Sequence, residues 1–296
     1  MTDAATALPL PAQRRGPLAA TWRRLRRNPV TLGALAVIVV LAVVAVLAPV
    51  VAPFDPEATD PAIALSAPTW QNLLGTDVYG RDQLSRLIHA ARLDLIIPFA
   101  ATAAALVIGS LIGALSGYRG GWVDQVIMRM VEAVLAFPAF VLAMGLTAAL
   151  GNSIGNIILT LAITQVPIYI RLIRGEMLRV REMEYAEAAR TVGNPSWRIV
   201  VVHLLPNCIP PLIVQATLAM GFALLTMAAL SFLGLGIRPP DAEWGEMTAE
   251  GASHMVTGEW WLFVFPGLVI MATVLAFNLV GDGLRDLLDP RMRGVR

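Results

Sequence analysis

Residues 184–206 read EYAEAARTVGNPSWRIVVVHLLP and form a polar segment between two long apolar stretches of the chain. Four of these residues recur at the i, i+3, i+4 and i+7 spacing of one helix face: Tyr185, Ala188, Ala189 and Val192. This spacing predicts a short amphipathic helix. Its small alanines allow close approach to a groove on a partner protein, so the segment is a candidate docking element.

Charged and turn-forming residues mark both ends of this predicted helix. Glu184 and Glu187 fall in the first turn and Arg190 near the end, an arrangement that the helix dipole favours. Gly193, followed by Asn194-Pro195, is a strong helix stop. We therefore expect a helix that begins near Glu184 and ends sharply at Gly193.

The composition of the chain is that of a membrane protein. Of the 296 residues, 57% are hydrophobic and 15% are charged, whereas a soluble domain carries about 25% charged residues. The net charge of +1 indicates no particular partner, and nucleic acid is not expected to be one. Cys208 is the only cysteine, which excludes an intrachain disulfide and a cysteine metal cluster.

Uncharged stretches of the chain predict an all-α transmembrane fold with six spans, each needing about 20 apolar residues. One uncharged stretch, 133–170, is too long for a single helix, and the turn residues at 151–156 divide it into two spans. The other four predicted spans lie within residues 30–54, 95–118, 209–236 and 260–280. An even number of spans places both termini on the same side of the membrane.

The arginines predict which side that is. With both termini inside, the inner segments carry 18 arginines and the outer segments carry 4, so the positive-inside rule favours cytoplasmic termini. The predicted division is a partly disordered cytoplasmic tail (1–29), a first span with an external loop (30–92), a five-span core (93–283) and a cytoplasmic C-terminal tail (284–296). The core includes a cytoplasmic coupling loop, residues 171–206.

Several function classes lack the residues that they require. The chain contains no lysine and hence no P-loop, and it has no His-Glu-x-x-His metalloprotease motif. Its histidines, His89, His203 and His254, all fall in predicted loops, so no base faces a serine within a span. The middles of the predicted spans carry no ionisable side chain, which argues against an ion-coupled carrier. A non-transporting membrane scaffold remains an alternative.

Four further motifs occur in order along the chain: LGTDVYGRD at 74–82, GYRGGWVD at 117–124, LSFLGLG at 230–236 and GDGLRD at 281–286. Together with Glu187-Ala188-Ala189 and Gly193, which resemble the EAA loop of ABC importer permeases, they span more than 200 residues. The chain is thus similar to the C-type permease subunit of oligopeptide and dipeptide importers. Taken singly, the 74–82 segment is a turn-rich external connector, and its aspartates lack the spacing of a calcium loop.

This resemblance implies a type I six-helix permease in the bacterial inner membrane. It implies as partners a second homologous permease, two ATPase subunits or domains that bind ATP and Mg²⁺, and an external substrate-binding protein, besides the lipid bilayer. It implies no catalytic, cofactor or metal site in this chain. The implied solute is a di- or oligopeptide, with nickel, glutathione or another small solute as alternatives. The residues expected to couple to the ATPase are Glu184, Tyr185, Glu187, Ala188, Ala189, Arg190 and Gly193.

Overall fold

The computed structural model describes residues 28–288, and this part of the chain is almost entirely helical. The predicted tails, 1–29 and 284–296, fall mostly outside these residues. Extended structure within 28–288 is confined to an isolated bridge between Thr76 and Asp82. The helices are α1 (Pro29–Val51), α2 (Gln83–Arg119), α3 (Gly121–Leu135), α4 (Ala139–Leu150), α5 (Ile154–Val180), α6 (Glu184–Thr191), α7 (Ile209–Phe232), α8 (Trp244–Ser253) and α9 (Trp261–Leu288).

Five helical segments are long and apolar enough to cross a membrane, which confirms the all-α transmembrane prediction. They are α1, α2, α5, α9 and the continuous helical run Ser196–Phe232 that ends in α7. The pair α3 and α4 makes a sixth span if it is counted as one crossing. The structure therefore has five or six candidate spans, against the six expected from the sequence.

The third span, predicted within residues 133–150, is bent and begins earlier, at Gly121. Helices α3 and α4 meet at an angle of 87° across the short break between Leu135 and Ala139. Pro138 precedes α4 and lacks a backbone N–H, and it also disfavours helical geometry at the residue before it. The 12 residues of α4 reach about 18 Å, which is too short to cross the hydrocarbon alone.

Two other helix boundaries and one loop differ from the prediction. Helix α2 begins at Gln83, well before residue 95, because the Asp82 side chain accepts the backbone N–H of Ser85 and caps it. His89, expected in a loop, therefore lies in α2. Helix α5 continues past residue 170 to Val180, and the outer loop predicted after residue 236 contains α8.

The core of the bundle is the contact between α2 and α5. Three glycines four residues apart on α2 leave no room for a side chain: an added Cβ would lie 2.5 Å from Tyr169, 2.6 Å from the Ile170 carbonyl and 2.8 Å from Met177. These glycines are Gly109, Gly113 and Gly117. Small residues at this spacing let two membrane helices approach closely. Later glycines of α2 meet later residues of α5, so the two helices run parallel.

Helix α1 lies at the edge of the bundle and is held at both ends. Pro49 has no N–H to donate to the Ala45 carbonyl one turn earlier, and the Arg92 Nε of α2 donates to that oxygen instead, at 2.7 Å. At its other end Thr31 packs against Gly283 of α9 so closely that a Cβ there would lie 2.3 Å away. The first span is thus attached to the core, while its outer face stays exposed.

Candidate functional site

The predicted docking helix exists and ends where the sequence indicated. Helix α6 runs from Glu184 to Thr191, and Gly193 follows with a positive φ of 81°. The Gly193 N–H donates to the Arg190 carbonyl at 2.9 Å, and the Asn194 N–H donates to the Ala189 carbonyl at 3.3 Å. This is a Schellman cap, which needs a residue that tolerates positive φ and so explains the glycine.

The two faces of α6 differ from the pattern expected. Ala186 and Ala189 point inward and are 0% and 8% exposed, packed in the core cluster that includes α5. Tyr185, Ala188 and Val192 are exposed. The expectation that Ala189 provides close approach to a partner therefore needs correction: Ala189 seats the helix on its own chain, and only Ala188 remains available outside.

The polar residues of α6 border an open groove. Glu184, Glu187 and Arg190 are all exposed, as their predicted role requires. A groove of about 520 Å³ adjoins this side of the helix, and it is lined by Arg181, Glu182, Glu187, Arg190 and Thr191. Both signs of charge border it, so a partner with a mixed polar surface can enter.

Arg190 also connects α6 to the end of α2. Its guanidinium lies 5.9 Å from the centre of the Tyr118 ring, and its Nη2 donates to the Arg181 carbonyl at 3.1 Å. Arg181 in turn donates from Nη1 to the Gly117 carbonyl at 2.8 Å. Neither Arg181 nor Tyr118 was predicted as a site residue, because neither lies on the face of the predicted helix. Tyr118 appears in the sequence only as part of the GYRGGWVD motif.

After α6 the chain returns to the bundle through an irregular helical run. Residues Ile199–Leu204 form a π-helical turn and Leu205–Cys208 a 3₁₀ turn before α7 begins. Ile199, Leu204 and Cys208 are buried and anchor this run in the same core cluster as Ala189. The docking helix is therefore held by packed segments on both sides, which lets it act as one body with the bundle.

The LGTDVYGRD segment lies at the other end of the bundle, where its turns contain a buried ionic cluster. Asp77 accepts the Arg81 Nε at 2.5 Å and lies 3.5 Å from the Arg86 Nε. Arg86 is fully buried, and its Nη2 reaches Glu246 of α8 at 3.4 Å. Burial raises the pKa of Glu246 to about 7, although the Arg86 guanidinium lowers it.

A pair of buried carboxyl groups joins α2 to α8 at this same end. Asp94 and Glu243 are both 0% exposed, and the Asp94 Oδ2 accepts the N–H of Trp244, the residue after Glu243, at 3.0 Å. Burial raises the pKa of Glu243, even though the Gly245 and Glu246 N–H groups donate to it and cap α8. The sequence did not indicate these two buried carboxyls, because Asp94 directly precedes the uncharged stretch and Glu243 lies in a predicted loop.

The described residues 28–288 contain no group of three or more His, Cys, Asp and Glu side chains that could hold a metal ion. Asp77 and Asp82 accordingly serve as hydrogen-bond acceptors in the turn. The α6 end of the bundle thus combines an exposed helix, a Schellman cap and an open groove.

Comparison with known families agrees with this architecture. Residues 105–294 match the family described as the binding-protein-dependent transport system inner membrane component. Residues 16–68 match the N-terminal transmembrane domain of oligopeptide transport permease C. The two matches together cover most of the chain.

Individual relatives are similar over almost their whole length. The chain is 43% identical to the probable D,D-dipeptide transport system permease protein DdpC of Escherichia coli K12, over 91% of this chain and 90% of the relative. It is 41% identical to the di/tripeptide transport system permease protein DppC of Pseudomonas aeruginosa UCBPP-PA14, over 94% and 93% respectively. It is 38% identical to the glutathione transport system permease protein GsiD of Pectobacterium atrosepticum SCRI 1043, over 92% and 90%. The chain therefore belongs to the family of inner-membrane components of binding-protein-dependent transport systems, as a permease subunit of the oligopeptide permease C type.

Proposed function

We propose that this chain is one of two membrane subunits of an ATP-driven bacterial importer and forms half of its translocation path, with α6 docking on a separate ATPase subunit. The observation that carries the proposal is the outward face of α6. Tyr185, Ala188 and Val192 are exposed there, on a helix that is capped and packed from behind. Apolar residues on one face of an ordered helix are what binding in a groove requires.

The energy source lies in the partner. The chain contains no lysine and so has no P-loop of its own, which fits a division of labour in which ATP and Mg²⁺ bind to the ATPase subunits. Motion reaches the membrane subunit only if α6 binds the ATPase with different affinity in its different nucleotide states. The coupling residues in this proposal are those predicted from the sequence, with Ala189 acting through the seating of α6.

Both termini and α6 face the cytoplasm in this proposal. The excess of arginine in the predicted inner segments supports this orientation, 18 against 4. The packing of Thr31 against Gly283 supports a common side for the first and last spans, because it joins the start of α1 to the end of α9. The end that carries Asp77 and α8 then faces outward, toward the substrate-binding protein.

The assembly contains a second, homologous permease and two ATPase subunits or domains. Exposed apolar side chains on α3 and at the kink support a protein or lipid contact there, because a polar solvent would disfavour them. Trp122 is 74% exposed, Met130 67% and Phe137 58%. Lipid or a partner subunit therefore covers this side of the kinked span.

The proposed solutes are short peptides. The relatives named above are permeases for D,D-dipeptides, di- and tripeptides and glutathione, which supports a peptide-like solute and keeps glutathione as the second candidate. Nickel is a further alternative. Uptake of a labelled dipeptide by cells that carry the whole system, with unlabelled dipeptide, glutathione or nickel as competitors, separates them. Competition by dipeptide alone supports the first proposal, and competition by nickel alone contradicts it.

The docking proposal is tested by Ala188→Arg, which places a charge on the exposed face without disturbing the buried one. We expect the variant complex to bind its ATPase subunits more weakly, with uptake and stimulated ATP hydrolysis falling together by about tenfold or more, equivalent to roughly 1.4 kcal/mol. Ala58→Arg, at an exposed alanine in the segment after α1, is the matched control. Normal docking and uptake in Ala188→Arg would place the ATPase contact elsewhere and would favour the scaffold alternative.

A further inference from the structure

An ion pair behind α6 joins three helices at one point. The Asp124 carboxylate of α3 accepts the Arg174 Nε at 2.5 Å and Nη2 at 2.6 Å, both from α5. It also accepts the Ser116 hydroxyl of α2 at 2.5 Å. A bidentate pair of this kind fixes orientation as well as distance, so α3 is held to the other two helices at a defined angle.

The same stretch of α2 is contacted by Arg190 of α6 and by Arg181, the residue that ends α5. Gly117 and Tyr118 follow Ser116 directly, and they meet Arg181 and Arg190 through the contacts described above. An added Cβ at Gly117 would lie 2.8 Å from Met177 and 2.9 Å from the Arg174 carbonyl. The end of α2 therefore cannot slide against α5, and a displacement of α6 acts on all of these groups together.

Asp124 lies on α3, a helix with few other contacts to the bundle. Helix α3 buries only Val131 of its 15 residues and continues into the 87° kink, so it has few other contacts that could move it. The Arg174 and Asp124 side chains are 31% and 16% exposed. The bidentate geometry sets this partly exposed pair apart from ordinary surface ion pairs, because two parallel hydrogen bonds hold α3 against α5 in one orientation.

We propose that Asp124 and Arg174 are a positioning pair that transmits the displacement of α6 to α3 and hence to the kinked span formed by α3 and α4. This inference rests on the proposed docking of α6 on an ATPase, and it adds a specific mechanical route from that contact. The pair does not touch solute or ATP. Its loss uncouples ATP hydrolysis from transport while the ATPase subunits stay bound.

The experiment compares Asp124→Asn with Glu132→Gln in the reconstituted complex. Glu132 is the matched control, since it pairs with Arg129 at 3.2 Å on the same helix, at an exposed site that joins no second helix. For Asp124→Asn we expect ATPase subunits to copurify in normal amount and the solute imported per ATP hydrolysed to fall about tenfold, within the usual range of coupling between sites. Glu132→Gln should leave this ratio unchanged.

A second pair of variants separates positioning from folding. Asp124→Glu keeps the charge and should restore most of the ratio, and the exchange Asp124→Arg with Arg174→Asp should restore more of it than either single change does. An unchanged ratio in Asp124→Asn overturns the proposal. Loss of ATPase copurification that the exchange does not repair also overturns it, because the pair would then serve assembly. Failure of docking itself is seen separately, through Ala188→Arg.

Discussion

A single methyl group at Gly113 should separate the two central helices. In the structure, a Cβ built on Gly113 lies 2.6 Å from the Ile170 carbonyl oxygen and 3.0 Å from the Ile173 Cβ. Ordinary contact begins near 3.4 Å, so the backbone of α5 would have to withdraw by about 0.8 Å. A backbone carbonyl within a helix cannot rotate away as a side chain can, and neighbouring Gly109 and Gly117 contacts would be lost with it.

The expected cost of Gly113→Ala is about 1–3 kcal/mol of unfolding free energy, the usual range for overpacking a tight interface. Gly175→Ala on α5 is the matched control, because a Cβ built there meets no atom within 4 Å. Alanine favours a helix over glycine by up to about 1 kcal/mol, so the control should be neutral or slightly stabilising. The two variants carry the same chemical change and should move stability in opposite directions.

Equilibrium unfolding of the purified permease in mixed detergent micelles, followed by circular dichroism, measures the difference. We expect the unfolding midpoint of Gly113→Ala to be lower than that of wild type, and the unfolding midpoint of Gly175→Ala to be equal or higher. Equal midpoints for both variants would refute the close packing of α2 on α5. Transport should follow stability, because this contact also holds the end of α2 that meets Arg181.

Two further predictions concern the end of the bundle that carries Glu246 and the orientation of the chain. Burial raises the pKa of Glu246 from 4.5 to about 7, so the folded protein keeps a proton that the unfolded chain loses near pH 4.5. The free energy of unfolding should therefore fall as pH rises from 4.5 to 7, by up to about 3 kcal/mol. Burial also raises the pKa values of Glu250 and Glu243, which adds in the same direction. Glu246→Gln should therefore reduce, without removing, the fall of the thermal midpoint between pH 5 and 8, and an unchanged slope would contradict the raised pKa of Glu246. For orientation, in a Cys208→Ala background expressed without partners, Trp70→Cys, 97% exposed in the native chain, should react with an impermeant thiol reagent in intact cells. Val192→Cys, 82% exposed, should react only after the membrane is opened, and the reverse pattern would refute cytoplasmic termini.

The features that sequence predicted correctly are those set by local chemistry. Gly193 ends α6 because a Schellman cap needs positive φ, and the turn residues before Ile154 separate two helices because Gly151 has positive φ and Ser153 caps α5. Uncharged stretches of sufficient length became membrane helices, since an unsatisfied backbone cannot remain in hydrocarbon. These patterns do not depend on distant parts of the chain.

The errors fall where a distant contact decides the outcome. Residues 133–150 are apolar enough for a span, but the chain bends at Pro138, and the sequence alone left open whether a proline kinks a helix or is absorbed by it. The burial of Asp77, Arg81 and Arg86 was not indicated by the sequence. Burying them is tolerable only because the fold brings Glu246 of α8 to the same place.

By itself the sequence determined the all-α membrane class of the protein, the end of α6 and the family resemblance, because these depend on composition, periodicity and motifs along the chain. Only the tertiary structure decided that Ala189 faces inward and Ala188 outward, since both are alanines and only the packing of α6 on α5 distinguishes them. It also joined Asp94 to the backbone of Trp244 and paired Asp124 with Arg174. Such pairs join residues far apart in sequence, and local periodicity contains no information about which distant side chain will satisfy a buried charge.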